Sequence, residues 1–341
     1  MAKPKTAERL QLALVGSDTL LGKELEEVLK SRTDAHISTF SASGEGNFGE
    51  EEGEAVYVEP LDAHSIARAQ AVLVAGSAEG ANKAYQLVNA AGGTPVLIDC
   101  TGHLENRPEA RIVAPLVSSS DVPASWLLEL AHPAASALTL VLRRLARYGE
   151  LQQVIVHIFE PASEQGRRGV SELHQQTTSL LSFKPLDKQV FDAQLSFNLL
   201  SQYGEEGAAK LSSTEQRIER HMASLIASDS AGPRFPMPSL RVIGAPVFHG
   251  YSFSVWAGFG RDIQVQELGE ALASAQIEIR GPNEEAPDGV SAAGQTGLIA
   301  GDIRIDRNNP RAAWFWIVGD NLRLTADTAA DLIINLEKAR P

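Results

Sequence analysis

Leu10-Gln11-Leu12-Ala13-Leu14-Val15 runs without a break into Gly16-Ser17-Asp18-Thr19-Leu20-Leu21-Gly22. The short apolar run has the length of a buried strand, and a glycine closes it. After it, Leu20, Leu21, Leu25, Val28 and Leu29 recur at helical spacing. Strand, glycine turn and helix together open a dinucleotide-type fold, in which the helix N-terminus offers free N–H groups and a positive dipole end to a phosphate. The spacing departs from GxGxxG: Thr19 stands where a central glycine would, and Asp18 puts a negative charge in the loop. Gly16, Ser17, Thr19, Leu20, Leu21 and Gly22 are the candidate cofactor-binding residues. A tight turn in which Asp18 or Thr19 caps the helix is the competing reading, and the residues alone leave both open.

Outward from this stretch the alternation continues. Residues 35–40, 70–75 and 95–99 read as strands, the last two as continuous apolar runs of a doubly covered sheet, with a helix over 80–91 between them. This predicts an α/β fold with a Rossmann-like parallel sheet. Residues 43–54 interrupt the pattern with five glutamates among four glycines, so a surface loop is expected there, of the wrong charge to hold a phosphate.

The second half changes character. Strands are expected at 151–160, 240–249, 252–257, 276–280, 302–306 and 313–318, and helices at 172–181, 214–227 and 265–273. Strands adjacent in sequence with helices set apart indicate a mixed α+β domain. A last helix over 322–337 is capped by Asp320 or Asn321.

Charge and composition narrow the partners. Thirty Lys and Arg against 43 Asp and Glu leave a net charge of −13, which disfavours nucleic acid and anionic lipid. A single cysteine, Cys100, excludes an intramolecular disulfide framework, and the eight histidines show no HExxH spacing, so no metal site is expected. No window approaches the ~20 apolar residues of a membrane helix, and the N-terminus has no signal-peptide core. The expectation is a soluble cytoplasmic protein.

Several motifs then fall in one colinear order. Leu12-Ala13-Leu14-Val15-Gly16 with Gly22-Lys23-Glu24-Leu25 is followed by His132-Pro133-Ala134-Ala135-Ser136-Ala137, then by Ala245-Pro246-Val247-Phe248-His249-Gly250-Tyr251-Ser252. Gly301-Asp302-Ile303-Arg304 and Val318-Gly319-Asp320-Asn321-Leu322-Arg323 complete the set. Together they resemble the aspartate-semialdehyde dehydrogenase family over nearly the whole chain, and the Usg-type paralogues of that enzyme more than the enzyme itself. The resemblance implies a dinucleotide-binding domain over 1–133 plus 320–341 and a catalytic-type, dimerisation domain over 134–319. It also implies a homodimer. Strands at 242–247 and 313–318, apolar on more than one face, agree with a sheet covered by a second subunit, unless the Gly- and Ala-rich segment 285–301 covers it instead.

The family's reaction passes through a thioester and needs a thiolate, an imidazole and cationic groups for carboxylate and phosphate. The resemblance places the nucleophile at Ala135, the imidazole at Tyr251, the carboxylate-gripping arginine at Gly244, the orienting glutamine at Glu160 and a lysine at Leu324. Glu215 alone keeps a family identity. No catalytic residue is therefore expected at these positions, and function has to be argued from the site rather than the fold.

Two other nucleophiles are conceivable. Cys100 ends a parallel strand with His103 three residues on, and Ser136 follows Ala135 with His132 upstream. A half-buried thiol and a capping serine are the simpler readings. Three functions follow: a catalytically degenerate paralogue acting through dimerisation or small-molecule binding, an NAD(P)-dependent aldehyde oxidoreductase with a different nucleophile, and a structural or regulatory partner without nucleotide. No cofactor is required by these residues, and NAD(P) binding is expected to be weak. The neighbourhood Phe40-Ser41-Ala42-Ser43-Gly44 lacks the arginine that would read a ribose phosphate, which disfavours NADP.

Overall fold

The computed structural model describes residues 9–51, 54–117, 124–229 and 232–339. It contains two compact units. The first comprises Met1–Pro115, Ser119–Leu130 and Thr325–Pro341, and the second Leu116–Ser118 with Ala131–Leu324.

The first unit runs β1 (Gln11–Val15), α1 (Leu20–Arg32), β2 (His36–Phe40), β3 (Asn47–Glu51), β4 (Glu54–Val58), α2 (Ala63–Arg68), β5 (Ala71–Val74), α3 (Ala78–Ala90), β6 (Val96–Asp99), β7 (Ala110–Val113) and β8 (Leu127–Leu130). Six strands form a sheet in the order β2-β1-β5-β6-β8-β7, every pair parallel. Alternate residues of β1 serve opposite cores. Leu12 and Leu14 pack with Leu25, Val28 and Leu29 of α1, while Ala13 and Val15 pack with Ala81, Ala84 and Val88 of α3. Each fully buried leucine or valine contributes roughly 1.5–3 kcal/mol, and this is why the strands read as unbroken apolar runs.

The chain reverses its direction of winding between β1 and β5, the crevice where open α/β sheets take ligands. Gly16 ends β1 there with φ +96°, and a Cβ on it would sit 2.4 Å from the backbone nitrogen of Gly76. Both the positive φ and the close approach demand glycine.

The acidic stretch 43–54 differs from expectation. Asn47–Glu51 pairs antiparallel with Glu54–Val58, placing Phe48 opposite Tyr57. The run Ala55-Val56-Tyr57-Val58 has strong strand propensity, and the glutamate-rich segment pairs with it.

The second unit runs α4 (Pro133–Tyr148), β9 (Leu151–Glu160), α5 (Gly166–Leu181), α6 (Leu211–Ser228), β10 (Ser239–Gly244), β11 (Tyr251–Phe259), α7 (Val265–Leu272), β12 (Ile277–Ile279), α8 (Gly289–Ala292), β13 (Leu298–Asp306) and β14 (Asn309–Gly319). A final helix, α9 (Asn321–Lys338), begins in this unit and ends in the first. Asp320 caps it by accepting the N–H groups of Leu322 and Arg323 at 2.9 and 3.1 Å. Farther along α9, Arg32 of α1 pairs with Asp327 and Asp331 at 3.2 and 2.6 Å.

The second sheet has the order β10-β9-β11-β14-β13-β12 and is mixed. Strand β10 stops at Gly244 rather than reaching 249, because Ala245 makes the last pairing bond, to Glu160 O, and Pro246 has no N–H to continue. One face, with Val156, Ile158, Phe253, Val255, Phe315 and Ile317, is fully buried under α4, α6 and α7. The other carries Ile155, Phe159, Trp256, Trp314 and Trp316 in half-buried or exposed positions. Helix α8, within 285–301, covers only the end of that face near Ile299 and Val318.

Between α5 and α6 the chain forms a strap, 182–210, anchored by two buried polar side chains of α5. Glu172 accepts the N–H groups of Val190 and Phe191 at 2.5 and 3.2 Å. Gln176 accepts those of Leu195 and Ser196 and donates to the carbonyls of Asp187 and Ala193.

Candidate active site

In the first unit, the loop after β1 turns most of its donors inward. Gly16 and Ser17 both give their N–H groups to Phe40 O, at 2.8 and 3.2 Å. Thr19 is the N-cap of α1 and accepts the Gly22 N–H at 2.9 Å, while its hydroxyl lies 2.8 and 2.9 Å from the carbonyls of Gly16 and Ala75. By helix geometry the first-turn N–H groups of Leu20 and Leu21 are the donors left for an anion. Beyond β2, Lys83 of α3 donates to Gly44 O at 2.9 Å and pairs with Glu45 at 2.6 Å. The sequence reading missed this lysine. Its charge is already engaged with the acidic stretch.

Cys100 follows β6, half-buried. Burial, with the carboxylates of Asp99 and Glu129, pushes its thiol well above the ordinary range, so it carries no thiolate at neutral pH. Asp99 itself is a turn-former, accepting from the Thr101 and Leu104 N–H groups at 2.8 and 2.7 Å.

The polar cluster of the second unit is built from the N-terminus of α4, the ends of β9 and β10, and the start of β11. His132 caps α4, its Nδ1 accepting the Ala134 N–H at 3.2 Å, and its backbone N–H donates to His221 Nδ1 at 2.9 Å. Ala135, third residue of the helix, is completely buried and belongs to the apolar core. Ser136 Oγ is buried, with no hydrogen-bond partner among the described residues.

Glu160 ends β9 and is 1% exposed. Its Oε1 accepts the Tyr203 hydroxyl at 3.0 Å, and Thr214 and Gln165 also act on the carboxyl to favour its charged form. Burial first, and the Glu164 carboxylate second, raise Glu160 to about 8, so it holds a proton at neutral pH. Glu164 lies in the 3-10 turn Ala162–Gln165 and is raised by burial. Asn321 Nδ2, donating to it at 2.8 Å, and Arg217 act against that rise. Asn321 also accepts from Ser163 Oγ and Gly250 N, each at 3.1 Å.

Tyr251 begins β11 with no exposure, its ring 6.0 Å from that of His132. Burial and the facing carboxylates of Glu164 and Glu160 drive its phenol well above the usual value, which removes it as a base. Burial, then Arg217 and His221, lower His132, so its 3.8 Å approach to Glu164 joins a neutral imidazole rather than an ion pair. Among the described residues, no group of three His, Cys, Asp or Glu could hold a metal ion.

Glu160, Gly244 and Tyr251 thus come together with His132. Glu215 goes elsewhere: its carboxylate accepts the Val242 N–H at 2.9 Å and lies 3.6 Å from Arg241. Leu324 is core. Sequence reasoning missed Arg217, Glu164 and Tyr203. Arg217, two residues after Glu215 on α6, is the cation that acts on the cluster.

A doubly wound parallel-sheet unit and a mixed-sheet unit with a polar cluster at its strand ends are the architecture of a two-domain protein built on a dinucleotide-type fold. Residues 142–324, more than half the chain, match the family described as semialdehyde dehydrogenase, dimerisation domain. The chain belongs to the semialdehyde dehydrogenase family. It is 29% identical to the USG-1 protein homolog of Pseudomonas aeruginosa over 96% of this chain and 97% of that one. To the aspartate-semialdehyde dehydrogenase of Prochlorococcus marinus it is 24% identical, over 98% of both. A solved structure described as a probable aspartate-semialdehyde dehydrogenase from Pseudomonas aeruginosa superposes with a TM-score of 0.82 at 28% identity, covering 98% of this chain and 99% of that one. No helix among the described residues is long and apolar enough to cross a membrane.

Proposed function

We propose that this protein is an aspartate-semialdehyde dehydrogenase-like paralogue that does not carry out the phosphorylating oxidation of a semialdehyde and acts as a homodimer. The observation that carries the reading is Ala135, fully packed in the core in the first turn of α4. The family reaction needs a thiolate there, and a methyl group neither attacks a carbonyl nor holds an acyl group. The surroundings support it: Tyr251 is too weak an acid to shuttle protons, and Glu160, unlike a glutamine, repels an acidic substrate whenever it ionises. The high position of the Cys100 thiol argues against a substitute nucleophile.

NAD(P) binding is at most weak in this reading. Phe40 O takes up the Gly16 and Ser17 N–H groups, and Asp18 opposes a pyrophosphate. Homodimerisation through the open face of the second sheet is supported by the dimerisation-domain match and by the half-covered Ile155, Phe159, Trp256, Trp314 and Trp316.

The direct test follows reduction of NADP, and of NAD, by purified protein with aspartate semialdehyde and phosphate. No turnover above the blank is expected. Turnover that disappears when Glu160 or Tyr251 is substituted would overturn the proposal.

A further inference from the structure

Gly244 ends β10 without a side chain, and Tyr203 stands in the vacant space. A Cβ built on Gly244 would lie 2.7 Å from Tyr203 Cε1 and 3.1 Å from its hydroxyl oxygen, so the position tolerates glycine for reasons of room. Tyr203 is 4% exposed and its hydroxyl donates to Glu160 Oε1 at 3.0 Å. The backbone holds it there. Leu200 and Gly244 exchange both N–H···O bonds, at 2.9 and 2.8 Å, forming an antiparallel bridge three residues upstream. The Phe191 ring, 5.1 Å away, packs against the phenol from a part of the strap that Glu172 anchors.

We propose that Tyr203 is a built-in occupant of this site: the strap delivers a phenol in cis to Glu160, fills the room a side chain at 244 would need, and closes the site to carboxylate ligands. This rests on the reading of the cluster as the family's former substrate position. It also names the chemistry that fits once the ring is removed. A neutral aryl alcohol can donate to Glu160 and fill an apolar space, whereas an aryl carboxylate would have to bury its own charge there, a cost the neutral alcohol does not meet.

The test is thermal unfolding of the full chain with phenol and, separately, benzoate at millimolar concentration. Phenol raises the midpoint of Tyr203→Ala by several degrees more than that of the wild type, because only the variant has the space, and binding to the native state stabilises it by mass action. Benzoate gives no such difference. Tyr203→Leu, which keeps much of the volume, supplies a second reading if the alanine variant does not fold. Gly244→Ala is strongly destabilising in the wild-type background and much less so beside Tyr203→Leu, the relief expected of groups competing for one space. Equal phenol shifts in wild type and variant, or additive Gly244→Ala effects, overturn the proposal. Neither outcome bears on catalysis: semialdehyde turnover by the wild type would sink the proposed function and leave this packing test untouched.

Discussion

Glu160 is a residue whose chemistry departs far from its ordinary state. Its carboxyl is held protonated up to about 8, whereas the unfolded chain loses that proton near 4.5. Between these values the unfolded state binds fewer protons than the folded one, so this group lowers stability as pH rises through the interval, and its effect levels off above it. Glu160→Gln keeps an acceptor for the Tyr203 hydroxyl and removes the titration. The stability gap between variant and wild type should therefore be near zero at pH 4 and grow to on the order of 2–4 kcal/mol at pH 8, measured by urea unfolding at each pH. A constant gap would show that the carboxyl is ionised in the fold. At the same scale, Ala135→Cys should not produce an efficient dehydrogenase. The proton shuttle and carboxylate clamp remain missing, and groups that work as a unit are strongly non-additive. A steady-state assay giving more than trace turnover would contradict this.

Among the elements, Thr19 and the Glu172–Gln176 pair do the most local organising. Thr19→Ala removes the cap of α1 and should cost about 1 kcal/mol, read from the denaturation midpoint. Glu172→Ala leaves the Val190 and Phe191 N–H groups without an acceptor. It should cost about 2–3 kcal/mol and speed amide exchange over 187–196 while leaving the first unit's exchange unchanged. How far such elements can be read from sequence follows from their periodicity. The strands and helices of the first unit declare themselves because its central strands are near-continuous apolar runs, as 71–74 and 96–98 show. The hairpin of β3 and β4 was hidden, because its first strand is rich in glutamate and glycine and shows no apolar alternation. Ala135, Glu160, Gly244 and Tyr251 could be located through colinear motifs. Tyr203 could not, because it lies on an aperiodic strap and reaches Glu160 across 43 residues of sequence. For Glu164 and Arg217 the only sequence signal was a charge close to a motif, and burial, which makes those charges matter, is not visible in a string of letters.

For the whole molecule, the open face of the second sheet sets the expected assembly. Stable homodimers commonly bury ~2,000 Å² or more with an apolar centre. Sedimentation at low micromolar concentration should give a species of twice 36.5 kDa that persists on tenfold dilution. Trp314→Glu, at a side chain 38% exposed in the isolated chain, should shift it to monomer without unfolding the first unit. A monomer at all concentrations would refute the assembly.

The placement of the indoles makes this assembly optically legible. Three of the chain's four tryptophans, Trp256, Trp314 and Trp316, belong to the open face, and the fourth, Trp126, stacks beside Tyr85 in the first unit with ring centroids 5.4 Å apart. Trp126→Phe would leave every emitting indole on the second sheet. Its emission maximum would then shift to the blue as a second subunit excludes water, and a concentration series in a fluorimeter would yield the dissociation constant with no label attached.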